Sequence, residues 1–346
     1  MKAPRLYRSA AAIALAALAL TACSSATSDE AASGETTTVT VEDNFGSQTV
    51  TVPAASVVAT DNTTFETLSA WGVPLKAGAV ALMPDTISYK QDSSIVDLGT
   101  HREPNLEAIV AADPDLIVNG NRFAQFREDF RKLAPNAAIV DVTPRKDQPL
   151  DAELKRGTTV LGEVFDKQAE AQQLNDEFDA SIARVKAAYG ADTTVMGVIV
   201  SGGKIGYVAP HTGRTIGPMF DIFGFEPALE VPQGSDNHQG DDISVEAIAQ
   251  SNPGLIIVMD RDAATTDAKK DGYMPAAKVI EGSAALQNVE AVKKGNVIYM
   301  PADTYTNESI QTYTAFFDAL ADLLEKNSNS RAPGYPVVTA RSRTTG

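Results

Sequence analysis

Two arginines stand at matched positions in a phrase that the sequence contains twice. Arg122 closes the first copy and Arg261 closes the second, and each follows a short apolar run. In both copies a proline comes seven residues and the arginine fifteen residues after a glutamate, which is Glu107 in one copy and Glu246 in the other. A guanidinium stays charged in proteins and donates hydrogen bonds through a planar fork, so it suits anions rich in oxygen. The two arginines therefore predict an anion-binding site.

The repeated phrase also predicts the elements that must position these arginines. Each copy indicates a helix, a turn, a strand and a loop, with Leu116 to Val118 and Leu255 to Met259 as the strands. In open α/β sheets, ligands bind beyond the carboxyl ends of the strands, which is where both arginines fall. We therefore expect two similar α/β lobes that each offer a cation to a cleft between them.

The N-terminus predicts export and a lipid anchor. Three basic residues precede the apolar run from Ala10 to Leu20, which is shorter than the roughly 20 residues of a membrane span and is typical of a secretory signal. The run leads into Leu-Thr-Ala-Cys, which resembles the lipobox of bacterial lipoproteins. Residues 1–22 are thus predicted to be a signal peptide and Cys23, the single cysteine, to carry acyl chains. The small polar residues that follow predict a flexible tether over 23–37.

Composition excludes several classes of function. The formal net charge of the chain is −16, and removal of the signal peptide with its three positive charges changes it to −19. So negative a protein is repelled by nucleic acid. The chain has three histidines and contains no HExxH motif, no GxSxG motif and no phosphate-binding loop. We therefore expect a binding protein rather than an enzyme, with a positive patch confined to one site.

The pattern along the chain predicts two lobes with one helical connector. Residues 38–165 form the N-terminal lobe, which begins with a β-hairpin, and residues 191–326 form the C-terminal lobe. Between them, apolar residues recur at steps of three to five with no proline, which predicts one long helix over 166–190. Residues 327–346 are predicted to be a disordered tail.

Four phrases, taken in order with the lipobox and the connector, carry a family resemblance. They are EPNLEAI at 103–109, GR at 213–214, FDIFGF at 220–225 and ISVEAI at 243–248. The chain resembles the iron-siderophore and vitamin B12 class of ABC-transporter substrate-binding proteins over residues 38–325. The resemblance implies two α/β lobes joined by one long rigid helix, a ligand cleft between the lobes, and a small hinge motion on binding.

Within that class, the chain resembles the ferric catecholate binders of the enterochelin and petrobactin type. The resemblance implies that Arg122, Arg214 and Arg261 together hold an anionic iron complex, with ferric iron as part of the cargo and no intrinsic cofactor. A surface salt bridge is the alternative for any one of these arginines. Haem, cobalamin or a ferric hydroxamate is the alternative ligand.

Some members of the subgroup complete the iron shell with a histidine and a tyrosine of the second lobe. The residues at those positions are His238 and Tyr305, and imidazole and phenolate are sound ligands for Fe(III). His238 lies five residues before Ile243 where the pattern has four, so a solvated loop histidine is the alternative. Asp61 and Asn62 end the first strand and either line the cleft or cap the next helix.

The two repeated glutamates have a different implied role. In this class a glutamate on the outer face of each lobe docks into arginine pockets of the membrane permease dimer, which works with an ATPase. Glu107 and Glu246 stand at matched positions for that role, and an ordinary exposed helix carboxylate is the alternative. The resemblance also implies a monomeric binding protein.

Overall fold

A computed structural model describes residues 36–331 of the protein, with side chains through residue 328. Cys23, the predicted signal peptide and all but the last two residues of the predicted tether lie outside the described residues. Thr37 already belongs to a strand, so regular structure begins one residue before the predicted lobe boundary.

The N-terminal lobe alternates short strands with short helices. In chain order, its elements are β1 (Thr37–Asp43), β2 (Gly46–Val52), β3 (Val57–Ala59), α1 (Phe65–Ala70), β4 (Leu75–Gly78), β5 (Val96–Asp97), β6 (Gly99–Thr100), β7 (Glu103–Pro104), α2 (Glu107–Ala112), β8 (Leu116–Asn119), α3 (Arg127–Leu133) and β9 (Ala138–Asp141). Strands β5, β4, β3, β8 and β9 lie side by side in one parallel sheet, and β1 pairs with β2 as the predicted hairpin. Every residue of β8 is buried, which is why Leu116 to Val118 are apolar without alternation.

Two consecutive helices connect the lobes. They are α4 (Leu150–Phe165) and α5 (Gln168–Ala188), so the long connecting helix predicted over 166–190 is present. The helical stretch before it is a separate helix, because Asp166 ends α4 in the left-handed conformation with φ +53°. The apolar face of α4 packs mainly into the N-terminal core, whereas α5 packs into the C-terminal core.

The C-terminal lobe has a mixed sheet with helices on both faces. Its elements are β10 (Thr194–Ser201), β11 (Lys204–Val208), α6 (Gly217–Phe223), β12 (Glu226–Pro227), α7 (Val245–Ser251), β13 (Leu255–Asp260), α8 (Ala276–Gly282), α9 (Glu290–Lys294), β14 (Val297–Tyr299) and α10 (Ile310–Arg331). The strand order is β11, β10, β13, β14, in which β11 runs antiparallel to β10 and the other pairs are parallel. The short strand β12 pairs with the start of β10.

Alternate residues of β13 serve two separate cores, as the period of a strand requires. Leu255, Ile257 and Met259 pack with α5, α6 and α10, while Ile256 and Val258 pack with α7, α8 and α9. The strand is therefore buried on both faces, and its carboxyl end is held rigidly in the middle of the sheet.

The two copies of the repeated phrase build the same local structure. Helices α2 and α7 each end at a left-handed residue, Asp113 with φ +41° and Asn252 with φ +47°. A proline follows in each case, and the next strand, β8 or β13, lies between two neighbours in its sheet. The predicted two-lobe α/β fold is confirmed in this respect.

The end of the chain is more ordered than predicted. Helix α10 continues to Arg331, so residues 327–331 are helical rather than part of a disordered tail. The helix packs along α5, and Asn327 Nδ2 donates a hydrogen bond to Asn296 Oδ1 at 2.8 Å, which holds the last turns against the C-terminal lobe. Residues 332–346 lie outside the described residues.

Candidate ligand-binding site

Three arginines from separate segments converge on one aromatic ring. Arg122 lies in a 3₁₀ turn that follows β8, Arg261 directly follows β13, and Arg214 lies in the loop between β11 and α6. The guanidinium carbons of Arg122, Arg214 and Arg261 lie 5.1, 5.0 and 4.9 Å from the centroid of the Tyr305 ring. The structure thus brings together the three arginines that the sequence resemblance pointed to.

Tyr305 connects the two lobes at this point. It lies in a 3₁₀ turn just before α10, and only 8% of its surface is exposed. Arg122 of the N-terminal lobe donates from Nη2 to the Tyr305 carbonyl at 3.2 Å. The ring therefore occupies the space between the arginines, with cations of both lobes close to it, an arrangement in which the electron-rich ring face and the guanidinium groups attract each other.

Two of the arginines have carboxylate partners. Arg214 Nη2 donates to Glu308 Oε2 at 2.7 Å, and Arg261 Nη1 donates to Asp262 Oδ1 at 3.1 Å. Arg122 has no carboxylate partner in the part of the chain that the structure describes. The Nε atoms of Arg214 and Arg261 are buried and, among the described residues, have no acceptor. Each arginine of the site thus retains donors for a ligand.

The pKa values of the arginines reflect their burial and their closeness to one another. Burial lowers the pKa of Arg122, and the neighbouring charge of Arg214 lowers it further. Burial also acts to lower the pKa of Arg214, but Glu308, Tyr305 and Tyr313 together outweigh it and the net direction is upward. An arginine pKa lies so high that all three groups remain cations at neutral pH. The site is therefore a partly buried cluster of positive charge in an acidic protein.

His238 lies beside Tyr305, as the resemblance required of two possible iron ligands. Its Nδ1 is 3.3 Å from the Tyr305 hydroxyl and 3.4 Å from Arg214 Nη1. Partial burial lowers the pKa of the His238 imidazole, and the charges of Arg214, Arg122 and Arg261 lower it further, which favours the neutral form that can bind a metal. Within residues 36–331 no group of three or more His, Cys, Asp and Glu residues forms a metal site of the protein's own.

Asp61 and Asn62 do not line an open cleft in this structure, although the sequence had suggested them as ligand contacts. Asp61 is fully buried and Asn62 is 1% exposed. The Asp61 carboxylate accepts from Thr143 Oγ1 at 3.1 Å, and Asn62 Nδ2 donates to the Thr306 carbonyl at 2.9 Å. Their polar groups are directed into the protein, where they support the turn of Arg122 and the junction between the lobes.

The sequence analysis missed the acidic residues and the hydroxyl that hold the arginines. Asp262 and Ser201 both contact Arg261, and Asp262 stands next to that arginine in the chain, which is a usable local signal. Glu308 is 94 positions away from Arg214, and no spacing in the sequence points to it.

Comparison with known proteins identifies the family of this chain. Residues 57–304 match a sequence family described as periplasmic binding protein. The chain belongs to the periplasmic binding protein family. The match includes the repeated phrases and ends within the turn that holds Tyr305, so it spans every arginine of the site.

Two relatives of this periplasmic binding protein have names that state what they bind. The petrobactin-binding protein YclQ of Bacillus subtilis is 27% identical over 319 residues, which cover 90% of this chain and 96% of that protein. The ferric-anguibactin-binding protein FatB of Vibrio anguillarum is 28% identical over 290 residues, which cover 82% of this chain and 86% of that protein. The relatives are binding proteins, in agreement with the expectation that this chain is not an enzyme.

A solved structure supports the two-lobe fold. The crystal structure of YclQ superposes with a TM-score of 0.70 at 25% identity, covering 84% of this chain and 99% of that chain.

The described helices of this periplasmic binding protein include none with the length and apolar character of a membrane span.

The repeated glutamates lie at equivalent places on the two lobes. Glu107 and Glu246 occupy the first turns of α2 and α7, and both are exposed. Neither carboxylate takes part in an ion pair among residues 36–331, so both are free to meet a partner. Cys23 lies outside the described residues.

Proposed function

We propose that the protein captures a ferric siderophore and delivers it to an ABC importer, and that the ligand is a catecholate or mixed catecholate complex. The observation that carries this proposal is the convergence of three guanidinium groups on the Tyr305 ring. A catecholate resembles the Tyr305 side chain in shape and carries more negative charge, since it is an aromatic ring bordered by anionic oxygens. Arginine can donate to those oxygens and lie against the ring at the same time.

The named relatives support the same class of ligand. One is named for petrobactin and another for ferric anguibactin, and each matches more than four fifths of this chain. We extend that ligand class to this protein because its own arginines and its buried, unpaired Nε donors suit an oxygen-rich anion.

We also propose roles for the neighbouring residues. His238 and Tyr305 complete the iron shell when a bound siderophore leaves coordination positions open, which their separation of 3.3 Å supports. Asp61 and Asn62 support the cleft from beneath its surface. Ferric iron arrives as cargo, and the protein needs no cofactor of its own.

Delivery requires an anchor and a docking surface. We propose that the protein is exported and acylated at Cys23. The acyl chains hold it at the cell membrane, where it acts as a monomer. Glu107 and Glu246, one on each lobe, then dock on the permease dimer, whose ATPase drives import. The exposure of both side chains supports this role.

The experiment that tests the function is a ligand titration followed by fluorescence quenching. The soluble protein that starts after Cys23 is titrated with a ferric catecholate, a ferric hydroxamate, haem and cobalamin. We expect tight quenching by the catecholate, and its complete absence would overturn the proposal. Preference for haem, cobalamin or the hydroxamate would retain the fold and change the ligand.

The arginines are tested in the same titration. We expect the double variant Arg122→Ala/Arg261→Ala to bind the ferric catecholate about 100-fold more weakly, because two charge-assisted contacts are lost. Arg131→Ala on α3 removes an exposed arginine and serves as the control. Wild-type affinity in a folded double variant would remove the arginines from the site.

A further inference from the structure

The carboxylates around the arginines set the net charge that the site presents. Glu308 is paired with Arg214 and also accepts from Thr215 Oγ1 at 2.6 Å, and 14% of its side chain is exposed. Asp262 is paired with Arg261, and its side chain is 12% exposed. It accepts further bonds from Ser201 Oγ at 3.1 Å and from the Gly202 amide. Several hydrogen-bond donors hold each carboxylate beside its arginine, an arrangement that stabilises the negative charge.

The remaining titratable groups near the site add little charge. Asp267 Oδ2 lies 3.7 Å from Arg261 Nη1, but its Oδ1 lies 2.5 Å from Lys270 Nζ, and that lysine balances it at the surface. Three guanidinium groups less two paired carboxylates therefore leave one formal positive charge.

The site has several unpaired hydrogen-bond donors although its net charge is small. Arg122 has no carboxylate partner within the described residues, and the Nε donors of Arg214 and Arg261 are likewise unpaired there. A bound ligand can thus accept several hydrogen bonds, although the electrostatic field of the site is close to that of a single cation. A ligand with several negative charges would leave some of them unbalanced in a partly buried site, which is costly.

We propose that the cleft selects ferric complexes with a single negative charge over complexes with three. This inference rests on the proposed function and specifies its ligand class. Fe(III) held by three catecholate dianions is a trianion, whereas Fe(III) held by one catecholate and two hydroxamate anions is a monoanion. The monoanion balances the net charge of the site and still offers the oxygens that the free donors require. A mixed catecholate siderophore is therefore the favoured cargo.

The test compares three hexadentate ferric complexes that differ in charge. They are a tris-catecholate, a mono-catecholate dihydroxamate and a tris-hydroxamate, which are trianionic, monoanionic and neutral. Each fills the iron shell, so His238 and Tyr305 add no metal bond and the comparison reports charge. We expect the soluble protein to bind the monoanion at least about tenfold more tightly than the trianion.

Two charge-neutralising variants test the cause. Glu308→Gln and Asp262→Asn each raise the net charge of the site by one, so each should improve trianion affinity by about tenfold relative to monoanion affinity. Glu163→Gln makes the same chemical change on the exposed face of α4 and should leave the ratio unchanged. Thermal unfolding of every variant shows whether it is folded, and having two independent variants keeps the test valid if one is not.

The outcomes separate the two proposals. Tighter binding of the trianion by the wild-type protein would overturn the charge selection and leave the siderophore function standing. An unchanged ratio in both folded variants would also overturn the charge selection. Failure of all three complexes to bind would overturn the charge selection, and failure of a tetradentate ferric bis-catecholate as well would overturn the siderophore function itself.

Discussion

The phenol of Tyr305 is the point at which the site and the interface between the lobes meet. Its ring lies about 5 Å from each of three guanidinium carbons, and its hydroxyl lies beside His238. Cation–π contacts of this kind contribute on the order of 1 kcal/mol each. A siderophore ring that enters the arginine cluster must therefore either pack against the tyrosine or replace it.

The hydroxyl and the ring of Tyr305 can be tested separately. Tyr305→Phe keeps the ring between the arginines and removes the oxygen. If the phenolate binds iron, the visible charge-transfer absorption of a bound ferric bis-catecholate should shift to longer wavelength, because iron loses an anionic donor, and affinity should fall about tenfold. Tyr299→Phe, which alters a partly exposed tyrosine at the end of β14, is the control. An unchanged spectrum in the Tyr305→Phe variant would show that the phenol oxygen does not bind iron and that Tyr305 contributes only packing.

Asp61 is predicted to make stability depend on pH. Burial, with a contribution from the charge of Asp141, raises the Asp61 pKa from 3.8 to about 7. The folded protein then holds a proton that the unfolded chain has released, so the free energy of unfolding falls as pH rises from about 4 to about 7 and is level above that.

The variant Asp61→Asn removes this titration. We expect its free energy of unfolding, relative to wild type, to rise by up to about 4 kcal/mol between about pH 4 and about pH 8. Urea denaturation at a series of pH values measures the difference. Asp271→Asn, at an exposed position, should follow the wild-type profile throughout. Parallel profiles for Asp61→Asn and wild type would contradict the assignment.

At the scale of elements, α1 of the N-terminal lobe caps α10 of the C-terminal lobe. Glu66 Oε2 accepts from Asn307 Nδ2 at 3.0 Å, from Thr312 Oγ1 at 3.2 Å, and from Ser309 Oγ. Ser309 Oγ in turn accepts from the Thr312 amide at 3.1 Å, as an N-cap does. A carboxylate at a helix N-terminus is also favoured by the helix dipole. One glutamate thus fixes the start of the helix that follows the Tyr305 turn.

Removing that carboxylate should destabilise the protein. We expect Glu66→Ala to lower the free energy of unfolding by about 1 to 3 kcal/mol, because buried donors of the turn and helix lose their acceptor. Chemical denaturation measures the effect, and Glu163→Ala on the exposed face of α4 should change it little. Equal midpoints for the two variants would show that the cap contributes nothing.

At the scale of the whole molecule, the residues proposed for ligand binding and those proposed for permease docking lie on different surfaces. The arginines lie in the cleft, whereas Glu107 and Glu246 lie exposed on the first turns of α2 and α7. The double variant Glu107→Ala/Glu246→Ala should therefore bind a ferric siderophore with wild-type affinity and fail to support its uptake through the permease.

Uptake of the radiolabelled iron complex by cells, beside titration of the purified protein, measures the two properties separately. Glu163→Ala should retain both. Normal uptake by the double variant would exclude these glutamates from docking, and weakened binding would show that they act on the cleft.

Features that depend on neighbours in the chain could be predicted from the sequence alone. The repeated helix, turn and strand, the buried apolar strands and the arginines at strand ends all follow from local spacing and periodicity. The family resemblance placed Arg214 with them, although it has no partner in the repeat. The helical residues 327–331 were missed, because packing of α10 along α5 decides them.

What only the tertiary structure decided concerns residues far apart in the chain. The position of Tyr305 between three arginines, the pairing of Arg214 with Glu308, and the burial of Asp61 leave no periodic trace in the sequence. The physical reason is that hydrogen bonds and ion pairs depend on distances after folding, whereas patterns along a chain report only which face of an element is buried. The sequence by itself therefore determined the fold and the sign of the charge in the site, and the folded structure decided how much of that charge remains for a ligand.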